Sequence, residues 1–270
     1  MAKIIAVANQ KGGVGKTTIA INISACLGIL DKKVLIIDSD PQANSSSGLG
    51  IHQDAIKGDL YECLVENRDP NECIIQTETP NLDILPSSIN LVGAEVELVT
   101  VENREFRMKS LISKIQKEYD YIIIDCLPSL GLITINALTA ADSVIIPVQC
   151  EYFSLEGYGK LKDTLNLVQS SLNPELSIEG IVLSMYDKRL RMANMVIEEI
   201  KEIVTDKIFD TVIHRNSKIG EAPSLGQPII IYDAASKGAT NFLNLAMEIL
   251  KQNGDQKAMS FSPQSNLIDG

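Results

Sequence analysis

Asn9-Gln10-Lys11-Gly12-Gly13-Val14-Gly15-Lys16-Thr17-Thr18 is the stretch whose reading decides the fold. Before it, Ile4 to Ala8 is short, apolar and β-branched, as a buried strand is; after it, Thr17 to Ile29 has helical spacing. A glycine-rich turn between strand and helix is a place to hold phosphate. Gly12, Gly13 and Gly15 let backbone N–H groups curl around phosphate oxygens without Cβ clashes, with Val14 and Thr18 in the same cradle. The helix that opens here adds the positive end of its dipole. Lys16 would reach the terminal phosphates, and the Thr17 hydroxyl would ligate Mg²⁺. A plain turn with a chance Lys-Thr is the bland alternative, and the strand–turn–helix placement argues against it. The strict pattern GxxxxGK[ST] needs glycine at position 10. This chain has Gln10 there, and an additional lysine, Lys11, at the start of the loop.

Outward from the loop, strand-like and helix-like runs alternate. Lys33 to Asp38, Asn81 to Leu85, Tyr121 to Asp125, Ser143 to Val148 and Ile178 to Ser184 read as strands. Glu105 to Lys117, Leu155 to Ser170, Met192 to Val204 and Thr240 to Lys251 read as helices. Continuous apolar strands separated by helices predict an α/β fold: a single-domain P-loop NTPase with a mostly parallel twisted sheet and helices on both faces. That domain is expected over residues 1–251. Residues 252–270 are polar, lack an apolar stripe and read as a mobile C-terminal tail.

Composition agrees. The chain has 270 residues, 45% hydrophobic, 22% charged and 4% aromatic, which excludes disorder, collagen-like repeats and a coiled coil as the main structure. Its formal net charge is −11, so any contact with nucleic acid must come from a local basic patch. The 5 cysteines are widely spaced without CxxC, which points to buried thiols in a reducing compartment. No apolar run approaches the roughly 20 residues that span a bilayer. The start of the chain reads as a first strand rather than a signal peptide.

Lys11-Gly12-Gly13-Val14-Gly15-Lys16-Thr17-Thr18 resembles the deviant Walker A loop of the ParA/MinD superfamily. The resemblance runs from about residue 3 to 250 through several ordered motifs. It implies ATP and Mg²⁺ as ligands, and a nucleotide-sandwich homodimer in which Lys11 reaches the partner's ATP and Gly12 lies where the two loops face each other. A second ammonium near the transferred phosphoryl group would stabilise its charge as an arginine finger does. Asp38-Ser39-Asp40-Pro41-Gln42-Ala43-Asn44 resembles the switch I pattern DxDPQxN; by resemblance Asp40 positions the attacking water and Asp38 supports the Mg²⁺ shell. Asp125-Cys126-Leu127-Pro128-Ser129-Leu130-Gly131 is similar to Walker B and switch II, with Asp125 beside Mg²⁺ through a water. Leu127 stands where the family has proline, which bears on loop stiffness. Gln149-Cys150-Glu151-Tyr152-Phe153-Ser154-Leu155-Glu156-Gly157 resembles a segment near the family's dimer interface. Ile213-His214-Arg215-Asn216 resembles the loop that wraps adenine, with Arg215 and Asn216 as the matching pair. His214 replaces a proline, so a flexible, titrating residue is expected where the family has a stiff turn.

From Asp187 to Lys218 the local charge turns positive, with Lys188-Arg189-Leu190-Arg191 the densest basic run. In Soj-like members this region contacts DNA phosphates without reading sequence. Arg189 and Lys218 match those positions, and Arg191 is added from the local charge. The resemblance therefore implies a cytoplasmic, nucleoid-associated partition ATPase of weak intrinsic activity. ATP closes the dimer on DNA, and a ParB-like partner stimulates hydrolysis and release. No helix-turn-helix is expected before Lys3, hence no operator reading. A MinD-like membrane-positioning ATPase is the first rival, but it needs a basic amphipathic C-terminal helix that the residues after Lys251 do not supply. An iron–sulfur carrier would need a second cysteine near Cys126. An ATP-gated positioning protein with a protein cargo is the third.

Overall fold

The apolar runs pair as one sheet because each is long enough for a strand and too apolar for an edge. The structure is a computed structural model that describes residues 2–150 and 154–255, with only the backbone course for 154–156 and 191–193. Seven strands form the sheet: β1 (Lys3–Val7), β2 (Val34–Ser39), β3 (Ile75–Gln76), β4 (Leu82–Leu85), β5 (Tyr121–Cys126), β6 (Ser143–Gln149) and β7 (Ser177–Ser184). Their order is β3-β4-β2-β5-β1-β6-β7. All pairs are parallel except the short edge pair β3–β4.

Side chains alternate between two apolar cores, as the strand period requires. Ala6, Leu35, Ile37, Ile122 and Ile124 enter one core. Ile5, Val7, Val34, Ile36 and Ile123 enter the other, under the helices Lys16–Ile29 and Lys237–Gln252. Both faces are covered, so the strands read as uninterrupted apolar runs rather than alternating ones. The helices Lys16–Ile29, Ser154–Ser171, Arg191–Ile203 and Lys237–Gln252 fall within a few residues of the predicted ones. The last starts earlier than expected because Ser236 caps it, accepting the Ala239 N–H at 3.1 Å.

The predicted helix from Glu105 to Lys117 is a correction. A 3₁₀ turn at Arg104–Phe106 precedes a shorter helix, Arg107–Ser113. Asn103 in the left-handed region (φ 53) breaks the approach. Beyond the helix, Asn71 takes the Lys114 carbonyl at 2.9 Å and accepts the Gln116 N–H at 2.9 Å, pulling the chain off the helical path. Strand β3 and the helices Leu60–Val65, Leu91–Glu97 and Leu132–Ala140 were not expected. The predicted tail from 252 begins inside the last helix, which ends at Gln252, and residues 256–270 lie outside the described residues.

From β5 the chain crosses over β1 to β6, on the far side of β1 from β2. This reversal opens a crevice at the carboxyl ends of the strands, where open α/β sheets take ligands. Register fixes what lines it: Asp125 pairs with Val7 on one side and with Asp38 on the other.

Candidate functional site

The glycine loop leaves β1 through a buried anchor. Asn9 donates to the Pro147 carbonyl at 2.6 Å and accepts the Lys11 N–H at 3.0 Å, tying the loop to β6. Gly13 (φ +75) and Gly15 (φ +89) sit in the left-handed region that glycine alone adopts cheaply, and nothing lies within 4 Å of where a Gly12 Cβ would be. Lys16 opens the helix, is buried, and donates from Nζ to the Lys11 carbonyl at 3.0 Å. Burial lowers its pKa, with Asp125 and Asp40 pulling it back up. The Cys126 thiol nearby is pushed up to about 12 by burial and stays neutral.

Asp38 and Asp125 face each other on adjacent strands, both fully buried. Burial pushes both carboxyls up, and each raises the other's neighbourhood further. Asp38 accepts the Ser46 N–H (2.8 Å) and hydroxyl (2.7 Å) at Oδ2 and the Asp40 N–H (3.2 Å) at Oδ1. Asp125 accepts the Ser45 hydroxyl at Oδ2, 2.7 Å, and the Thr17 hydroxyl beside it also holds its pKa down. Its Oδ1 is buried and accepts no hydrogen bond. A buried carboxylate oxygen left without a partner is costly unless a cation or an ordered water serves it. Among the described residues no group of three or more His, Cys, Asp or Glu could cage a metal. Mg²⁺ needs no cage, since it keeps waters and binds through one or two carboxylates and substrate phosphates. The donor set present fits that ion.

Asp40 sits just past β2, nearly buried, its Oδ1 accepting the Gln42 N–H at 2.9 Å. Beside the loop lies a cleft of about 260 Å³, lined among others by Thr18, Met185, Arg215, Asn216 and Phe242. The loops at its rim are laced together. Ser184 donates to the Val14 carbonyl at 2.9 Å, and Arg215 N–H donates to the Tyr186 carbonyl at 2.9 Å. His214 corrects the expectation of a flexible turn. Its backbone N–H and Nδ1 both engage Asn241 Oδ1 (3.2 and 3.1 Å), its ring packs edge-on to Tyr186, and burial lowers its pKa.

The candidate DNA contacts are exposed but engaged. Arg189 forms a two-point pair with Asp187 (2.9 and 2.6 Å), which holds that carboxyl down to about 2. Lys218 pairs with Asp233, and its N–H is capped by Asn216 at 2.9 Å. The Arg191 side chain lies outside the described residues, as do Glu151 to Phe153 of the segment before the helix Ser154–Ser171. That helix nonetheless reaches the loop: a Cβ at Gly157 would stand 3.4 Å from Lys11 Cβ.

Sequence reasoning missed Asn9, Ser45, Ser46 and Ser184, which carry no chemistry but hold groups that do. Asn9 and the serine run after Asn44 were in view as polar residues beside motifs. Only the strand register shows whom they serve.

Residues 2–178 match a family described as "AAA domain". The sporulation initiation inhibitor protein Soj of Bacillus subtilis (strain 168) is 53% identical over 249 residues, 92% of this chain and 98% of that protein. The chromosome partitioning protein ParA of Myxococcus xanthus (strain DK1622) is 49% identical over 252 residues, 93% of this chain and 89% of that one. This chain belongs to the ParA/Soj family. Among solved structures, a putative plasmid partition protein from Borrelia burgdorferi B31 bound to AMPPNP superposes with a TM-score of 0.78 at 30% identity, covering 94% of this chain and 98% of that one. A Mycobacterium smegmatis protein titled cobyrinic acid a,c-diamide synthase, with bound ATP analogue and magnesium, gives 0.83 at 32% identity over 97% of this chain and 100% of that one. The two titles name different activities, and both structures hold an adenine nucleotide on this fold.

Within the ParA/Soj pattern, the two departures have local compensation. Leu127 packs against the first apolar core, anchoring a loop that loses a proline. His214 is fixed by Asn241. All five cysteines are buried and none is disulfide-bonded. No helix among the described residues is long and apolar enough to cross a membrane.

Proposed function

We propose that this chain is a DNA-partition ATPase that works as an ATP-closed dimer. The observation that carries the reading is the buried, unpartnered Oδ1 of Asp125, beside Asp38 and within electrostatic reach of Lys16, at the foot of the glycine loop. The loop N–H groups of Gly12 to Thr18 bind the phosphates, Lys16 neutralises the terminal ones, and Arg215 and Asn216 flank the base in the adjacent cleft. Thr17, Asp38 and Asp125 hold Mg²⁺ with its waters. When bound, that ion offsets charge on the β- and γ-phosphoryl oxygens.

Asp40 orients a water in line with the γ-phosphorus. A bond forms from that water to phosphorus, the bond to the bridging oxygen breaks, and ADP and phosphate result. Lys11 acts on the partner protomer's nucleotide, so the site is complete only in the dimer and intrinsic turnover is slow. Arg189, Arg191 and Lys218 bind DNA phosphates without reading bases. A ParB-like partner then speeds hydrolysis and release. The protein works in the cytoplasm, on the nucleoid in its ATP state.

DNA binding at low salt with Mg²⁺, compared between ATP, ADP and no nucleotide on unrelated sequences, tests this. Binding with ATP alone, lost as salt rises and indifferent to sequence, is expected. Absence of binding in every state refutes the DNA role and turns the search to a protein or membrane cargo.

A further inference from the structure

The helix Leu132–Ala140 follows the loop that leaves β5 after Asp125. Its N-cap, Gly131, has no side chain, and its first turn holds no acidic residue. The N–H groups of Leu132 and Ile133 would therefore be orphans. They are satisfied from a distant element. Leu132 N–H donates to Glu95 Oε2 at 2.9 Å, and Ile133 N–H donates to Glu95 Oε1 at 3.2 Å. One carboxylate thus caps the helix with both oxygens and places negative charge at its positive end.

Gly131 makes the approach possible. Its φ of −76 is open to any residue, so backbone freedom is not the reason for glycine. A Cβ there would stand 2.6 and 2.9 Å from the two Glu95 oxygens. Glu95 itself is rigidly carried, because Leu91, Ala94 and Leu98 of its own helical segment are fully buried in the first core. The same end of the loop is tied by the Thr134 hydroxyl, which donates to the Ser129 carbonyl at 2.7 Å. The loop from Cys126 to Gly131 is therefore held at one end by the sheet and at the other by Glu95.

We propose that Glu95 is a positioning residue for ATP hydrolysis: its carboxylate clamps the far end of the Cys126–Gly131 loop and so fixes the loop that begins at Asp125. The role rests on the ATPase reading above. Nucleotide binding belongs to the glycine loop and the base cleft, which the clamp does not touch. Its loss acts on turnover rather than on affinity.

The test compares wild type with Glu95→Ala, Glu95→Gln and Gly131→Ala, with Glu97→Ala as control, since Glu97 meets only Tyr61 at 3.1 Å on the surface. Hydrogen exchange at the Leu132 and Ile133 amides is read first, without nucleotide. Exchange about tenfold faster is expected in Glu95→Ala and Gly131→Ala, the equivalent of a lost cap. Glu95→Gln, which keeps one acceptor oxygen, should fall between them and wild type. Steady-state ATP turnover with DNA present should show kcat down by about tenfold in both alanine variants and partly restored in Glu95→Gln, with KM within about twofold.

Unchanged exchange overturns the clamp. Faster exchange with unchanged kcat makes Glu95 a stabilising cap only, and KM rising in step with the fall in kcat places the effect at the nucleotide; either result ends the proposal. Wild type without ATP turnover refutes the ATPase reading and with it the role in hydrolysis, and is distinguished because it needs no variant. Should Glu95→Ala fail to fold, Glu95→Gln carries the same exchange and KM-against-kcat reading.

Discussion

Replacing Asp125 by Asn should stabilise the nucleotide-free protein while ending its Mg²⁺-dependent hydrolysis. Burial, with Asp38 opposite, raises the Asp125 carboxyl from 3.8 to about 7. Folding therefore resists its ionisation: the penalty is absent below the unfolded pKa, grows as pH rises, and is complete above the folded one. At about 1.4 kcal/mol per pH unit, ionised Asp125 costs the fold at most about 4 kcal/mol above neutrality and about 1.5 kcal/mol at pH ~5. Asn keeps an oxygen for the Ser45 hydroxyl but puts an amide N–H₂ where the unpartnered Oδ1 was, at about 1–3 kcal/mol. Lys16 loses one of its two flanking carboxylates but retains Asp40 and the Lys11 carbonyl. The variant should then match wild type within about 1 kcal/mol at pH ~5 and exceed it by about 1–3 kcal/mol at pH ~8. Urea unfolding in EDTA at both pH values measures the difference, and phosphate release with Mg²⁺ measures the loss of function. A gain independent of pH, or none at pH ~8, refutes the argument that this carboxylate is held ionised against the fold for the sake of a cation.

Lys11→Ala should still bind ATP, because the Lys16 side chain contacts the Lys11 backbone carbonyl rather than its side chain, but should dimerise and hydrolyse poorly; normal turnover by light scattering and phosphate release sinks the in-trans role. Arg189→Ala with Lys218→Ala should lose DNA affinity while the ATP dimer persists, and the salt dependence should flatten by about 2 in log–log slope per protomer. An unchanged slope removes both residues from the interface. Gly28→Ala should cost about 2 kcal/mol in urea unfolding, because its Cβ would stand 2.4 Å from the Pro80 carbonyl oxygen, backbone that cannot swing aside.

What could be read from the sequence follows from where the information lies. The strands were legible because both faces are buried, which leaves an unbroken apolar run such as Ile122 to Ile124. The glycine loop was legible because its conformation demands glycine at Gly13 and Gly15. The helix from Arg107 was misjudged because its limits depend on Asn71 and Asn103, one of them far off in sequence. The helix Leu132–Ala140 was missed because it is apolar around most of its circumference and has no cap of its own. Its cap is Glu95, 37 residues upstream of Leu132. Ser45 and Ser46 were illegible as partners of Asp125 and Asp38, since only the pairing of β2 with β5 brings those carboxylates together.

Charge ties the site to the cycle. Asp38, Asp40 and Asp125 outnumber Lys16 in a dry crevice, so a polyanionic triphosphate alone would meet net repulsion there. A divalent cation reverses that balance, serving the idle Asp125 oxygen and the phosphates at once. The same reasoning applies at the outer surface. With a net charge of −11, a single protomer is repelled by DNA at long range and attracted only through the Arg189 and Lys218 neighbourhood, where each cation is already paired with a carboxylate. Phosphates must compete with Asp187 and Asp233 for them. Closing two protomers doubles the number of competing contacts on one duplex without changing the repulsion per protomer, and affinity rises as the product of the two sets. An acidic chain with weak, self-neutralised basic spots is thus suited to bind DNA only as a dimer, and dimerisation by nucleotide is enough to make that binding switchable.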